Sequence, residues 1–308
     1  MQPTPRNEPA PTPHPTPRTV FTRQQQLIGW LAVFGSALFF YLATAIISWA
    51  RPHVAITTPF YVFARFLLGF VIVSLGMLLR RQRPVCAHAH PIIGRTVTNT
   101  VAVYCFYRAV EVGSVAGANI LNMTYPLFVA LFSWFALRDE RDRFELAVVG
   151  VAMAGIWLIL DPTRIHGGWH NLWGLASGLT AGVSIIYLNL CRRHHDSESI
   201  LLFMFGAGAL LMLPFFHASL FWPNPVEWFF LLTCSVSGIL GQYCLTYGFL
   251  YVTAVEGAVI SSSRILLAAL LGPLLVADPP LTLAGWAGAL IIFAANVALA
   301  LRRSPAGR

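Results

Sequence analysis

Long apolar stretches separated by short polar segments make up the chain from residue 27 to residue 301. A helix rises about 1.5 Å per residue, so about 20 apolar residues cross the roughly 30 Å hydrocarbon core of a bilayer. Ten stretches approach or exceed this length: Leu27–Ala50, Pro59–Leu79, Ile92–Val112, Val115–Leu137, Glu145–Leu160, Leu172–Cys191, Ile200–Phe216, Trp228–Val252, Ala254–Ala277 and Leu281–Leu301. The fifth, sixth and seventh are short for a full crossing, and we expect them to be tilted. The pattern predicts an all-α integral membrane protein with ten transmembrane helices.

The composition excludes an ordinary soluble domain. Of the 308 residues, 57% are hydrophobic and 10% are charged, whereas charged residues make up about a quarter of a soluble domain. The net charge of +8 comes from arginine, since the sequence contains no lysine, and these arginines lie mainly in short loops. A nucleic-acid partner is therefore not expected. The five cysteines are odd in number and mostly lie in apolar stretches, so we interpret them as reduced.

The two ends of the chain differ from its apolar middle. Residues 1–26 are rich in proline, a composition typical of a disordered tail. They lack the short apolar core of a signal peptide, so we expect the first apolar stretch to be retained. Residues 302–308 form a second short tail. The even number of crossings places both tails on one side of the membrane.

The distribution of arginines predicts which side this is. Fifteen arginines, Arg95 among them, are assigned to the side of the two tails, whereas Arg51 and Arg164 fall on the other. Because loops rich in basic residues face the cytoplasm, both termini are predicted to be cytoplasmic. The use of arginine without lysine, with abundant Ala, Gly and Pro, favours a bacterial protein of the inner membrane.

A weak internal repeat relates the two halves. A shift of about 139 residues places Tyr104-Cys105 on Tyr243-Cys244, Leu127 on Leu266, Ala130-Leu131 on Ala269-Leu270 and Asp139 on Asp278. The shift pairs the third and fourth stretches with the eighth and ninth, which divides the protein into units 27–160 and 172–301 of five crossings each. Because five is odd, the second unit enters the membrane from the opposite side. This predicts two inverted repeats, with a substrate site near the midplane where they meet.

The segment Tyr104–Glu140, YCFYRAVEVGSVAGANILNMTYPLFVALFSWFALRDE, resembles the third and fourth spans of the EamA-type ten-helix members of the drug/metabolite transporter superfamily. The matching features are a small-residue-rich helix start after a short turn, Pro126 in mid-span and the acidic Glu140 at the cytoplasmic end. Arg65 also lies where that family often has an arginine. The second half is less similar, since Ile265 replaces the mid-span proline. The resemblance implies a transporter of small metabolites, often an exporter of amino acids or related compounds.

The ninth stretch, AVEGAVISSSRILLAALLGPLLVA, carries a charge near its centre. An arginine there costs about 2.5–3.5 kcal/mol to insert, so it requires a water-filled cavity, a carboxylate or a ligand. We predict that Arg264 binds a carboxylate or phosphate of the substrate, with Ser261 and Ser263 beside it. The alternative is a structural arginine held by backbone carbonyls.

Polar side chains surround the mid-span proline of the fourth stretch. Pro126 cannot donate to the carbonyl of Asn122, so a kink is predicted there. Asn119, Asn122 and Tyr125 flank the kink, and the 139-residue shift places Tyr125 opposite Arg264. These residues are predicted to form a polar wall of the substrate site. Hydrogen bonding between helices is an equally compatible interpretation.

Tyrosine rings, which are amphipathic, lie in the outer half of the third stretch and at the matching place in the eighth. The third stretch also carries a pair of opposite charges there. The rings favour an aromatic-lined cavity, and the candidate substrate contacts are Tyr104, Tyr107, Tyr243 and the adjacent Gln242. Arg108 and Glu111 are assigned a gating or structural role, for which an interfacial ion pair is the alternative. Arg65 and Pro126 are assigned to the same gating or structural group.

No catalytic or metal-binding motif is recognisable. The nine histidines fall in the tail or loops without an accompanying thiolate or carboxylate cluster, so neither a metal site nor a cofactor is predicted. The nucleophile-elbow, zincin and phosphate-loop motifs are missing from the sequence, and enzymatic activity is not expected.

Together these patterns predict a secondary transporter that exports or exchanges metabolites bearing a carboxylate or phosphate, by alternating access around a midplane cavity. The acidic residues of the apolar region lie near span ends, which disfavours proton coupling. The expected partners are the substrate and the lipid bilayer, and a second copy of the chain is a candidate partner. The alternative is a lipid-handling protein or a non-transporting membrane subunit.

Overall fold

The computed structural model describes residues 22–136, 143–160, 168–216, 221–252 and 254–302. Within these ranges the chain folds into eleven α-helices and contains no β-strand. The helices are α1 (Arg23–Ala50), α2 (Thr58–Leu79), α3 (Ala89–Val112), α4 (Val115–Asn122), α5 (Tyr125–Ala136), α6 (Arg143–Leu160), α7 (Gly168–Cys191), α8 (Ser197–Phe216), α9 (Pro225–Tyr251), α10 (Ala254–Leu275) and α11 (Leu283–Arg302). Three predicted features lie outside the described residues: most of the N-terminal tail, the C-terminal tail beyond Arg302 and the acidic Glu140.

The ten predicted crossings account for the eleven helices, because the fourth crossing is divided between α4 and α5. Eight crossings in the described ranges are long and apolar enough to span a membrane. The third crossing, α3, is less apolar because it carries several charged and polar residues, and α10 contributes a shorter apolar segment, Val259–Leu275. The sixth crossing is longer than predicted, since α7 begins at Gly168 and runs for 24 residues. Its first turn extends the helix beyond the apolar stretch that the hydropathy pattern marks.

The fourth crossing is interrupted at Met123 and Thr124, immediately before Pro126. Pro126 lacks the N–H that would bond the carbonyl of Asn122, so the helical ladder stops and restarts. Other donors satisfy the backbone carbonyl groups at this break. Thr124 Oγ1 donates to the carbonyl of Leu121 at 2.6 Å, and a side-chain amide of α11 donates to the carbonyl of Met123. The predicted kink is therefore a break between two short helices.

Helix α7 passes directly over this break. A Cβ at Gly178 would lie 2.6 Å from the carbonyl oxygen of Leu121 and closer still to Thr124 Oγ1. Real Cβ atoms do not approach backbone oxygens this closely, so glycine is required here for α7 to pack on the break.

Contacts between helices follow the predicted repeat. The first unit comprises α1 to α6 and the second α7 to α11, so α4 and α5 together correspond to α10. Contacts between the units occur in matched pairs: α1 with α9 and α7 with α3, α2 with α9 and α8 with α3, and α1 with α10 and α7 with α4 and α5. Helices also touch their own counterparts, as expected on a two-fold axis: α2 with α8, α4 with α10, and α6 with α11. The architecture is that of two inverted five-crossing repeats.

The outward surface of the bundle is apolar. Large aliphatic side chains are widely exposed, for example Leu31 at 62%, Leu78 at 73%, Leu210 at 66% and Leu274 at 77%. A soluble domain of this size would bury most such side chains. The exposed faces fit a hydrocarbon environment, and the polar residues are concentrated between the helices.

Candidate functional site

A cavity of about 100 Å³ lies where the two repeats meet. Its lining comes from α1, α2, α3, α4, α5, α7, α9 and α10, and none of the described residues of α6, α8 and α11 contributes to it. Four pairs of residues 139 positions apart line the walls: Val103 with Gln242, Phe106 with Leu245, Asn122 with Ser261, and Tyr125 with Arg264. The cavity therefore lies on the pseudo-two-fold axis, where the sequence repeat places the predicted site.

Three arginines from three different helices line this central cavity: Arg65 from α2, Arg95 from α3 and Arg264 from α10. Each is almost completely buried, with 2%, 3% and 4% of its surface exposed. Guanidinium groups remain protonated in proteins. The cavity wall therefore carries three positive charges.

Arg65 is held from both repeats. Its Nη1 donates to the hydroxyl of Tyr107 and its Nη2 to the carbonyl of Gly238, both at 3.1 Å. A Cβ at Gly238 would lie 2.7 Å from Arg65 Nε, so the glycine leaves the space that the guanidinium group occupies. Arg65 Cζ also lies 5.5 Å from the centre of the Phe40 ring, within the range of a cation–π contact.

Arg264 and Arg95 each make one hydrogen bond to a neutral side chain of another helix. Arg264 Nη2 donates to the amide oxygen of Asn122, and its Cζ lies 5.3 Å from the centre of the Phe106 ring. Arg95 Nη1 donates to Ser184 Oγ at 2.6 Å. Neither partner carries a charge that would balance the guanidinium group.

The positive charge of the cavity has no anionic partner among the side chains that the structure describes. No described carboxylate lines the cavity, and the two ion pairs found in the described ranges lie elsewhere. In addition, the Nε atoms of Arg65, Arg95 and Arg264 are buried without a hydrogen-bond acceptor. Buried donors of this kind cost free energy unless a ligand or water satisfies them. The side chain of Glu256 in α10 lies outside the described residues.

Asn122 connects the two repeats through a chain of hydrogen bonds. Its amide oxygen accepts from Arg264, and its Nδ2 donates to Ser177 Oγ at 2.5 Å. Ser177 in turn donates to the carbonyl of Ala102 at 2.9 Å. The break after α4 thus positions one side chain that contacts α10 and α7 together.

A larger pocket of about 310 Å³ lies beside the central cavity, between the ends of α7, α9 and α11. This is the terminal side, defined as the side on which α1 begins and α11 ends, because Val252 of this pocket lies against Gly29 near the start of α1. The pocket and the cavity share three lining residues, Tyr125, Ile185 and Leu245. A wall of these three side chains therefore separates the site from the terminal side.

On the opposite side of the membrane, hydrogen bonds connect the two repeats. Trp49 Nε1 at the end of α1 donates to the carbonyl of Leu275 at 2.6 Å, and Asp278 after α10 accepts from the backbone N–H of Ala116 at 2.9 Å. Arg51 adds a bond across the turn before α4, where its Nη2 donates to the carbonyl of Gly113 at 3.2 Å. These contacts hold the end of α1, the segment after α10 and the start of α4 together on that side.

Asp278 is the acidic group among these contacts. Its carboxylate caps the N-terminus of α4, where exposed backbone N–H groups favour an acceptor. Burial nevertheless raises the pKa of Asp278 above its usual range, while the backbone N–H groups of α4 and Arg51 pull the pKa down. The desolvation of the carboxylate is the larger effect.

The predicted charge pair lies on the same side. Arg108 Nη1 is 2.7 Å from Glu111 Oε2, and the hydroxyl of Thr58 donates to the same oxygen. Both charged side chains are partly exposed, and Glu111 lines a separate pocket with Arg51. The structure places this pair outside the central cavity.

Five of the predicted substrate contacts line the central cavity, and five do not. Gln242, Asn122, Tyr125, Ser261 and Arg264 line it, together with Arg65 from the gating group. Pro126 lines the neighbouring pocket on the terminal side.

The other five occupy positions behind or away from the cavity wall. Tyr107 is fully buried behind Arg65. Tyr104 packs edge-on with the Trp173 ring, and Tyr243 stacks on the Tyr247 ring.

Asn119 and Ser263 are engaged in helix packing. Asn119 Nδ2 donates to Thr44 Oγ1 of α1 at 3.0 Å and to its own helix backbone. Ser263 donates to the carbonyl of Ile260 at 2.6 Å. In both cases the donor is used within the protein.

Sequence reasoning did not name Arg95 as a site residue, because it counted Arg95 only among the arginines of the terminal side. Helix α3 begins at Ala89, so Arg95 lies in the second turn and faces the cavity. The available signal was the spacing of Arg95, Asn99, Ala102 and Phe106 along one helical face. Arg95 lies close to the start of the predicted stretch Ile92–Val112, on the terminal side, which concealed this stripe.

No group of three or more His, Cys, Asp or Glu residues in the described part of the chain could hold a metal ion. The rings of His88 and His194 lie 4.4 Å apart on the terminal side, and His195 accepts from the backbone N–H of Ala87. His14, His166 and His217 lie outside the described residues.

A family model and the most similar sequences reported below all indicate transporters. The family model of the EamA-like transporter family matches residues 27–161 and again residues 168–301. The pseudopaline exporter CntI of Pseudomonas aeruginosa (strain UCBPP-PA14) is 30% identical over 254 residues, covering 80% of this chain and 86% of that protein. An uncharacterised transporter of Helicobacter pylori (strain J99) is 28% identical over 215 residues, covering 67% of this chain and 72% of that protein.

A solved crystal structure shares the fold. It superimposes with a TM-score of 0.57 and 20% sequence identity, and covers 91% of this chain and 98% of its own. At this identity the similarity concerns the architecture alone.

Proposed function

Since the chain belongs to the EamA-like transporter family, we propose that it is a secondary transporter that exports or exchanges small metabolites bearing a carboxylate or phosphate. The family is one of transporters rather than enzymes, and the chain is an integral membrane protein.

The observation that carries the proposal is the cationic cavity between the repeats. Arg264 lies near the centre of its span with free guanidinium donors, and its partner Asn122 is neutral. An anion would supply the missing charge and acceptors, and a guanidinium group binds a carboxylate or phosphate bidentately. We assign substrate contacts to Arg264, Asn122, Tyr125, Ser261 and Gln242, which line the cavity.

The transport mechanism that fits this geometry is alternating access. The hydrogen bonds of Trp49 and Asp278 close one side, and a pocket reaches the shared wall of Tyr125 and Leu245 from the other. Rocking of units 27–160 and 172–301 against each other would exchange the closed side for the open one. A homodimer is compatible with this motion.

The orientation follows from the arginine distribution. With both termini in the cytoplasm, the pocket near Arg192 would face the cytoplasm and the seal at Asp278 would face the outside. The conformation would then be ready to load substrate from the cytoplasm, as an exporter in a bacterial inner membrane requires.

The test is ligand-dependent thermal stability of the purified, detergent-solubilised protein. A ligand at 100 times its dissociation constant stabilises the native state by about 2.7 kcal/mol. Amino acids, organic acids, phosphorylated metabolites and organic cations are compared on the wild type, on Arg264→Gln and on Arg83→Gln, a control at an exposed position after α2.

We expect an anionic or zwitterionic solute to raise the melting temperature of the wild type and of Arg83→Gln, but not of Arg264→Gln. Equal stabilisation of all three proteins by cations would contradict the proposal. Stabilisation by lipids alone would favour the lipid-handling alternative.

A further inference from the structure

The central cavity contains more positive charge than one simple anion requires. A single guanidinium group can bind one carboxylate through two parallel hydrogen bonds. Binding of this kind at Arg264 would leave Arg65 and Arg95 buried, charged and without an anionic partner among the described side chains. A site evolved for a monoanion would therefore retain two unneutralised charges in a medium of low dielectric constant.

Each of the three arginines keeps donors that face no acceptor. Arg95 and Arg264 each use one Nη atom within the protein, and Arg65 uses both of its Nη atoms. The Nε atoms of all three are buried without a partner. For Arg95, Nε and the unused Nη2 remain together on one edge, which is an edge that binds a carboxylate bidentately. For Arg264, the unused Nη1 and Nε lie on different edges of the guanidinium group, so each can donate a single hydrogen bond.

The three groups surround one space rather than forming separate sites. Arg65 lies on α2 and Arg264 on α10, and their Cζ atoms are 5.5 Å and 5.6 Å from the centre of the same Phe40 ring. Arg95 is fixed by Ser184 of α7, which lines the same cavity. A single solute placed in the cavity is therefore within reach of arginines from three helices.

We infer that the substrate carries at least two anionic groups, carboxylates or phosphates, and that Arg65, Arg95 and Arg264 bind it together. This inference rests on the proposed function, because it specifies the substrate class of the same site. Arg95 supplies a bidentate edge, Arg264 supplies its free Nη1 donor and its charge, and Arg65 supplies positive charge and its Nε donor.

The cavity must enlarge to hold such a solute. Its volume of about 100 Å³ is below the 300 Å³ or more of typical ligand pockets. The neighbouring pocket of about 310 Å³ is separated from it by the wall of Tyr125, Ile185 and Leu245. Displacement of this wall joins the two spaces. Arg192 lines the neighbouring pocket and therefore lies on the path of an incoming anion.

The charge also bears on the transport cycle. A cavity occupied by a polyanion is close to neutral, whereas an empty cavity that closes on both sides encloses three positive charges in a medium of low dielectric constant. The protein therefore changes conformation more readily when the site is loaded than when it is empty. Exchange of one polyanion for another follows as the favoured mode.

The test compares solutes of different charge, among which succinate and its monoamide differ by one charge at nearly constant size. Butyrate, succinate, its monoamide succinamate and tricarballylate are titrated against the purified full-length protein by thermal stability or calorimetry. We expect succinate or tricarballylate to bind at least tenfold more tightly than succinamate, and Arg95→Gln to abolish that difference. Arg95→Lys, which keeps the charge, should retain part of it, and Arg83→Gln should retain all of it.

The outcomes separate this inference from the proposed function. If succinamate and butyrate bind as tightly as succinate in an Arg264-dependent manner, the polyanion inference is overturned and the proposed function stands. If no member of the series, and no phosphate ester tested beside it, binds to the folded wild type, both fail. The comparison of succinate with succinamate uses the wild type alone, so it holds even if Arg95→Gln does not fold.

Discussion

The guanidinium group of Arg264 in α10 donates a hydrogen bond to the amide oxygen of Asn122 in α4. These helices are the two copies of the fourth crossing, and they meet on the pseudo-two-fold axis. The repeat places Ser261 opposite Asn122 and Tyr125 opposite Arg264, and all four side chains line the cavity. One polar contact thus joins the repeats at the place where substrate is proposed to bind.

Replacement of Asn122 by aspartate should weaken anion binding. The new carboxylate would lie next to Arg264 and neutralise the charge that the substrate would otherwise meet. We expect Asn122→Asp to lower the affinity for anionic ligands at least tenfold, which corresponds to about 1.4 kcal/mol. Asn122→Ala is the control, because it loses the Nδ2 donor to Ser177, as aspartate does, without adding charge. Equal affinities of the two variants would show that charge at this position has no effect.

Substitution of Gly238 should disturb Arg65. The Cβ of Gly238→Ala would lie 2.7 Å from Arg65 Nε, so the guanidinium group must move away from its bonds to Tyr107 and to the carbonyl of residue 238. We expect a loss of about 1–3 kcal/mol in the free energy of unfolding, together with weaker anion binding.

Gly35→Ala provides the matched control for this change. Apart from its chain neighbours and the backbone of its own helix, nothing lies within 4 Å of a Cβ at Gly35 in α1, so alanine there should stabilise the helix by about 0.5–1 kcal/mol. Thermal denaturation of both variants tests the pair. A Gly238→Ala protein as stable as the wild type, with unchanged ligand binding, would contradict the assigned packing of Arg65.

The seal at Asp278 should depend on pH. Because burial raises the pKa of Asp278 in the folded protein, the native state holds this proton more tightly than the unfolded chain, whose aspartates titrate near about 3.9. Ionisation therefore costs more in the native state, and the stability contributed by the protonated group is present below about pH 4 and is lost as pH rises through the raised pKa.

Asp278→Asn removes this titration while keeping an oxygen acceptor for the N–H of Ala116. We expect the melting temperature of the variant, relative to the wild type, to increase with pH from about 4 upward and then level off. Measurements between pH 4 and 8 check this. A relative melting temperature that falls over the same range would mean that the carboxylate is stabilised by its partners rather than penalised by burial.

Ala277 adopts a left-handed backbone conformation, with φ 52°, two residues after the end of α10. This conformation costs an L-residue roughly 1–2 kcal/mol, and glycine avoids most of the cost. Ala277→Gly should therefore stabilise the protein by about 1 kcal/mol. Ala294→Gly, at an exposed position in the middle of α11, should destabilise it by about 0.5–1 kcal/mol. Thermal unfolding in detergent distinguishes the two, and a loss of stability in both would contradict the backbone assignment.

The architecture and part of the site were predictable from sequence. The apolar stretches specify ten crossings, because a segment of about 20 apolar residues has few alternatives to spanning a membrane. Arg264 was identifiable because an arginine in the middle of an apolar span is costly. Asn122, Tyr125 and Ser261 followed from the mid-span proline and from the 139-residue repeat.

Other features depend on helix orientation, which hydropathy does not encode. Arg95 was counted only with the arginines of the terminal side because it lies near the start of its predicted span, although the helix begins at Ala89 and places Arg95 in its second turn, facing the cavity. Tyr104 and Tyr243 share the polarity of a cavity lining, yet their rings pack on Trp173 and Tyr247 instead. Rotation of a helix by a fraction of a turn decides between these positions.

The most direct test of the central claim is counterflow of a radiolabelled anion in proteoliposomes. Vesicles containing the wild type, Arg264→Gln or Arg83→Gln are loaded with unlabelled succinate or tricarballylate and then given the labelled compound outside. The account predicts that the wild type and Arg83→Gln accumulate label well above protein-free vesicles, and that Arg264→Gln accumulates at least tenfold less. Accumulation by Arg264→Gln equal to that of the wild type would contradict the account, since the cavity arginine would then have no part in carrying the anion.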